Sequence, residues 1–406
     1  MTHNNRINQL LAAAGVATVF GGVSAATAGD YGKVVIDDKA PIESAWTFCD
    51  TFNKMYFYKG DGFVKSARFL GRYQGQFISQ QEDVNDTLNN GYHEYQHRRF
   101  RLGFEVELAN DLTFYTEANI ADGRELTQDR FINDFQDFYI EWEPSDDLLV
   151  RIGKQKQHIT REDVESSKRI KSVERSAIVN EIAGARAWGA VVEFQTGEFR
   201  HEIGGWLYGG HRADPNWVDF SSNGGFNYNV AYPVSDTTTL HFDYVYADNG
   251  GGNFATEGDA ATGFGPNYEH AFALGAEVEA GRFQMITDVI VALNRTESGA
   301  LGRAGSIPPG NDTWGFYVQP SYDITEKLEA VFRYAYMDEG QEQRTQRFPT
   351  RQRVENYHTV YAGLQYFICG EKLKLMGGYE YASGDIFDSN NDVSGGSWQL
   401  AVRSYW

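Results

Sequence analysis

The chain has 406 residues, a formal net charge of −20, 24 tyrosines and 27 phenylalanines, but only 9 prolines and 5 methionines. So acidic a chain lacks the basic surface that grips a phosphate backbone, which excludes nucleic acid as a partner. Its aromatics and 43 glycines suit strands and tight turns, while length alone leaves one large β-domain or several smaller domains open.

Residues 1–28 read as a leader. His3 and Arg6 precede the apolar run LLAAAGVATVFGGVSAATA, which ends on Ala26-Thr27-Ala28, with Gly29 next. A basic start, a short apolar middle and an A-x-A end make a secretory signal peptide. Beyond it no apolar run approaches the roughly 20 residues that a spanning helix needs. An exported chain of this kind is periplasmic, secreted or an outer-membrane β-barrel, and alternation distinguishes them. Residues 29–63 form a segment ahead of the first strand. Within it WTFCDTFNKMYFY is too aromatic for a free linker, so it packs at the periplasmic mouth or pairs with a partner.

From residue 64 to the end, apolar and polar residues alternate in sixteen segments, the first near 65–79, the second near 95–108 and the last near 395–406. Most reach the ~9–11 residues with which a tilted strand crosses a bilayer. The connections alternate in length. Seven short ones, such as Ala109-Asn110-Asp111, Thr196-Gly197-Glu198 and Cys369-Gly370-Glu371, carry turn residues. Eight long ones run from 80–94 through the longest, 157–184, to 383–394. Short turns on one side and long loops on the other are the pattern of a bacterial transmembrane barrel, and an even strand number closes it without an edge.

The second segment opens on His93-Glu94-Tyr95-Gln96-His97, which formally matches the H-E-x-x-H zinc pattern. On a helix such histidines share one face, but on a strand four residues span roughly 13 Å, too far for one metal. Phe100, Leu102, Phe104, Val106 and Leu108 alternate with Arg99, Arg101, Gly103, Glu105 and Glu107, so the period is two. His97 is expected on the polar face and His93 in the loop above. Arg98 falls on the lipid parity at the loop end of its strand. No metal or other cofactor is expected.

The polar parity lines a water-filled lumen. Arg68, Arg72, Arg99, Arg101 and Arg403 come from the first, second and last barrel strands, which closure makes neighbours. They form either a basic ladder that attracts anions or ordinary wall charges paired with Glu105 and Glu107. The loop 157–184 carries Ile159, Val164, Ile170, Val173, Ile178 and Val179, which need something to pack on. Its Arg161, Lys168, Arg169, Lys171 and Arg175 are balanced by five carboxylates, without the basic excess expected of a dedicated phosphate filter.

The C-terminus GSWQLAVRSYW places Trp398, Leu400, Val402, Ser404 and Trp406 on one parity and resembles the last strand of outer-membrane barrels. Gly153-Lys154-Gln155, Ser166-Ser167-Lys168 and Glu174-Arg175-Ser176, with Phe69-Leu70-Gly71-Arg72-Tyr73 in the first barrel strand, resemble the phosphate-selective porin O and P family over most of the mature chain. The resemblance implies a sixteen-stranded antiparallel barrel in the bacterial outer membrane, with the third loop folded into the pore. It further implies a homotrimer with lipid around it, passing small anions or other small hydrophilic solutes past basic pore residues.

Two other classes stay in view. An outer-membrane barrel enzyme would need a nucleophile system clustered at one rim, and no such constellation is present. A surface-structural or adhesion barrel with a blocked lumen would show no conductance. Cys49 and Cys369, the two cysteines, both fall on the oxidising periplasmic side, where they either pair or remain two free thiols.

Overall fold

The computed structural model describes residues 47–53, 55–84, 87–123, 132, 134–182, 186–208, 224–248, 266, 268–295, 311–338, 354–386 and 391–406. The expected leader lies outside these residues, as do the central parts of most of the long loops. A 3-10 turn at Phe48–Phe52 is followed by a short strand, β1 (Met55–Lys59). The barrel strands follow: β2 (Val64–Val84), β3 (Thr87–Leu108), β4 (Leu112–Gly123), β5 (Asp134–Ser145), β6 (Leu148–Lys156), β7 (Arg186–Thr196), β8 (Phe199–Leu207) and β9 (Gly224–Ser235). The second half comprises β10 (Thr238–Ala247), β11 (His270–Ala280), β12 (Phe283–Arg295), β13 (Asn311–Thr325), β14 (Leu328–Asp338), β15 (Val354–Phe367), β16 (Leu373–Ile386) and β17 (Asp392–Tyr405).

Consecutive strands from β2 to β17 pair antiparallel. The last strand returns to the first, with Val393 opposite Val84 and Tyr405 opposite Arg72. The sheet is therefore a closed sixteen-stranded antiparallel barrel, as the alternation predicts. Closure gives every barrel strand a hydrogen-bonded neighbour on both sides, the condition for a sheet in hydrocarbon.

The short turns follow from local chemistry. Asn110 and Asp111, between β3 and β4, both adopt φ of 60°, the left-handed pair that suits a two-residue hairpin turn. Gly197, Gly281 and Gly370 supply positive φ at three other short turns. Side chains sort by parity: Ile152, Leu274, Trp398 and Leu400 are about 60% exposed on the outer face, whereas Arg101, Glu117, Arg333 and Glu380 are at most 4% exposed on the inner one. A soluble protein would hide the first set, and here lipid covers it.

Two expectations need correction. The stretch 80–94, read as a long loop, belongs largely to a β-hairpin, since β2 continues to Val84 and β3 begins at Thr87. His93 thus lies within β3, where its Nδ1 meets the Ser79 hydroxyl at 2.8 Å. The polar composition of this stretch, QQEDVNDTLNNGYHE, conceals the strand. The second correction concerns a β-bulge. Gln74 pairs with Arg99 but Gly75 pairs with His97, so Arg98 is the extra residue and parity inverts above it. Arg98 turns to the lumen and its Nε donates to Glu174 Oε1 at 2.7 Å. His97 joins the outer belt instead, 3.0 Å from the Tyr73 hydroxyl and edge-on to exposed Tyr95.

The closing seam is locked by the C-terminus. Trp406 N donates to Gly71 O at 3.1 Å and Gly71 N donates to Trp406 O at 3.4 Å. The indole lies over Gly71, where a β-carbon would come within 1.8 Å of its ring.

Candidate functional site

The loop after β6 folds into the barrel, and its sequence explains why. It contains α1 (Arg161–Val164) and α2 (Ala177–Ile182). Ile159, Ile170, Val173, Ile178, Val179 and Ile182 are all at most 2% exposed. Burying each such side chain is worth about 1.5–3 kcal/mol, and the wall receives them with small residues. Ala271, Ala273, Ala292 and Ala335 on β11, β12 and β14 pack with Ile178 and Ile182 in one cluster. Gly315 of β13 leaves the seat for Ile178, because a β-carbon there would stand 2.9 Å from Ile178 and 2.3 Å from Tyr336 O.

Polar anchors then fix the register of the loop. Thr160 N donates to Asp243 at 2.8 Å, and Arg161 N donates to Asp288 at 2.8 Å. Glu162 N donates to the Tyr317 hydroxyl at 2.9 Å. The main anchor is Arg333 of β14, fully buried. Its Nη1 donates to Glu162 Oε1 at 2.7 Å, Ser172 Oγ at 2.7 Å and Glu174 O at 2.8 Å, while Nη2 donates to Glu380 Oε1 at 3.1 Å. Burial alone would raise the Glu174 carboxyl, but Arg98 and Arg99 hold it well below the usual carboxylate range.

The five loop cations divide by role. The Arg161 guanidinium reaches both Asp243 oxygens at 3.1 Å. The Lys171 ammonium donates to Gln284 at 2.7 Å, to Ser321 at 2.9 Å and to Glu329, so these two pin the loop to the wall. Arg175 folds the loop on itself through Glu162 O at 2.8 Å and Glu165 O at 2.7 Å. Arg169 is exposed, and its guanidinium pairs with Glu165 at 2.8 Å within the loop itself. Lys168 is different. Among the described residues it is paired with no carboxylate, and its Nζ stands 5.2 Å from the centre of the Tyr405 ring. Burial and the repulsion of Arg72 and Arg68, against the attraction of Glu117 and Asp137, bring its pKa down to about 8.

The wall arginines do meet on adjoining strands. Arg68 forms a two-pronged pair with Glu105. Arg72 and Arg101 share Glu117 at 3.0 Å and 3.3 Å, and Arg72 also donates to Ser167 Oγ at 2.7 Å. Arg99 donates to Gln74 at 2.8 Å. Arg403 donates to the loop backbone, at Ser167 O, Ile170 O, Ser172 O and Val173 O. Arg333, Glu117 and the Arg186–Asp137 pair at 3.0 Å are the members that sequence reading left out of the site. Both Arg333 and Glu117 lie on the inward parity of their strands, but alternation alone does not show that Arg333 meets the loop or that Glu117 is shared by two wall arginines.

Below the loop, towards the short turns, a cavity of about 490 Å³ opens. Carboxylates dominate its lining, with Glu277, Asp323, Glu326, Glu329 and Glu371 facing Lys171 among others. Among the described residues no group of three or more His, Cys, Asp or Glu is placed to hold a metal ion.

Comparison with known proteins agrees with this architecture. The outer membrane channel DcaP of Acinetobacter baumannii superimposes with a TM-score of 0.55 at 12% identity, covering 85% of this chain and 99% of DcaP. Salmonella typhi OmpF, solved in complex with daunomycin, gives 0.54 at 14% identity over 83% of this chain and 97% of its own. Vibrio cholerae OmpT gives 0.51 at 13% over 86% and 99%. At these identities the likeness concerns the fold. No curated relative matches the chain. The sequence profile of the family described as phosphate-selective porin O and P matches residues 69–280. That match spans more than half of the chain and the fold agrees with it, so the protein belongs to the phosphate-selective porin O and P family and is a bacterial outer-membrane channel for small solutes.

Proposed function

We propose that the channel passes small hydrophilic solutes by passive diffusion and prefers anions, phosphate among them. The observation that carries this reading is Lys168, a loop ammonium without a carboxylate partner among the described residues, held near Arg72 and Arg68 of the wall. Arg72 and Arg101 share the single carboxylate Glu117, so positive charge is in local excess where loop and wall approach. Low-dielectric walls focus such an excess on a passing anion. Family membership supports assembly as a homotrimer.

Reversal potentials in a KCl gradient test the reading, with added phosphate reducing chloride current. A clear cation preference would refute it. A specific observation favours that second reading: the acidic cavity towards the short turns, with Glu277, Asp323, Glu326, Glu329 and Glu371, would enrich cations at that mouth. Under it the protein is a general, cation-preferring porin, and neutralising Glu277 and Glu326 together would shift the reversal potential more than changing Lys168.

A further inference from the structure

The N-terminal segment is attached on both sides of the place where the barrel closes. Strand β17 pairs with β2 only from Arg72 upward, and Trp406 meets Gly71. Below that level β2 would present an edge. Strand β1 occupies it, with Met55 opposite Phe69, Tyr56 opposite Arg68, Tyr58 opposite Ala67 and Lys59 opposite Ser66. Phe57 lies edge-on to Phe104, 6.2 Å between ring centres, which continues the outer aromatic face.

The other attachment lies beyond β17. Cys49, in the 3-10 turn, is disulfide-bonded to Cys369 in the turn between β15 and β16, with α-carbons 5.3 Å apart. Beside it Lys372 Nζ donates to Asn53 Oδ1 at 3.0 Å. The 3-10 turn has its own framework, since Asp50 accepts from Thr47 N at 2.6 Å, Thr47 Oγ1 at 2.8 Å and Asn53 Nδ2 at 2.8 Å. These bonds hold the Asp50 carboxyl below its ordinary pKa. One short segment thus joins the β15–β16 turn to β2 and flanks the end of β17 on either side.

We propose that residues 47–59 are a redox-cleavable clasp that holds the periplasmic end of the closing seam. A transmembrane barrel has one junction between strands far apart in sequence, β17 with β2, and its separation is the opening that no tight turn resists. The disulfide links residues 320 positions apart, so while it is intact β2 and β16 remain tethered even when β17 frays. Reduction by a dithiol passes two electrons and two protons to the bridge, leaving two thiols, while the dithiol closes to its own disulfide. The clasp is then held by the short β1 ladder, the Phe57–Phe104 contact and the Lys372–Asn53 bond.

The test uses the full purified chain in detergent and reads the temperature at which the folded band converts to the unfolded band in SDS gels. Dithiothreitol-treated protein and the Cys49→Ser/Cys369→Ser variant are expected to convert roughly 5–10 °C below the oxidised protein. Dithiothreitol should not shift the double-serine variant further. A chain lacking residues 47–59 should fall at least as far and likewise ignore dithiothreitol. Three results would overturn the proposal: an unchanged transition in the double-serine variant, an equal drop with dithiothreitol in that variant, or two alkylatable thiols in freshly isolated protein.

Discussion

Removing the guanidinium of Arg333 should release the loop from the lumen without unfolding the barrel. In Arg333→Met the carboxylates of Glu162 and Glu380, each 1% exposed, lose the cation they share, and Ser172 Oγ and Glu174 O lose a donor. Breaking a buried pair by removing one partner costs about 3–5 kcal/mol. The strand ladder does not depend on these contacts, so the cost falls on the loop. At ~1.4 kcal/mol per tenfold, the ratio of docked to undocked loop falls roughly 10²- to 4 × 10³-fold. Single-channel recordings should show larger conductance, and trypsin should cleave at the loop basic residues while the barrel keeps its folded migration on gels. Adding Glu162→Gln and Glu380→Gln should restore docking in part, because the uncompensated charges go. Unchanged conductance and trypsin resistance in Arg333→Met would show that apolar packing alone holds the loop.

Lys168 predicts a pH dependence. Its pKa is lowered to about 8, so it is charged below that pH and loses its charge as pH rises through it. Anion preference read from reversal potentials should therefore weaken between pH 7 and 9, and Lys168→Arg, which stays charged, should remove that slope. Gly71→Val should clash with the Trp406 ring and cost about 1–3 kcal/mol, as overpacking does, seen as an earlier urea unfolding midpoint. Arg403→Lys should increase trypsin cleavage in the loop but leave the reversal potential in place, since an ammonium cannot reproduce a planar fork across several carbonyls.

The barrel was legible because lipid enforces a period of two. Phe100, Leu102 and Phe104 state their face directly, and turn residues such as Asn110-Asp111 and Thr196-Gly197 mark where strands reverse. What escaped was geometry without composition. The bulge at Arg98 adds one residue and inverts every side chain above it, and nothing in RRF announces it. The upper β2–β3 hairpin is rich in Gln, Asn, Asp and Glu and lacks an apolar alternation, so it read as loop. The loop's path across the lumen was hidden for a different reason: Asp243, Asp288 and Arg333 lie 83, 127 and 171 positions from their loop partners.

Arginine illustrates why position outweighs residue type in such a channel. Arg68, Arg72, Arg101, Arg333 and Arg403 share the inward parity and look alike in sequence. The structure nevertheless assigns them different electrostatic surroundings. Arg68 is neutralised by Glu105 across one strand pair. Arg333 lies between carboxylates of the loop and of β16, and Arg403 spends its donors on backbone carbonyls. A guanidinium so occupied stiffens the docked loop and has few donors left for a solute. Lys168 stands in the same field without a carboxylate partner among the described residues. Its charge therefore adds to the potential in the gap instead of cancelling there. Counting basic residues on the wall overstates the attraction for anions, and the relevant quantity is the charge left over after the loop is anchored.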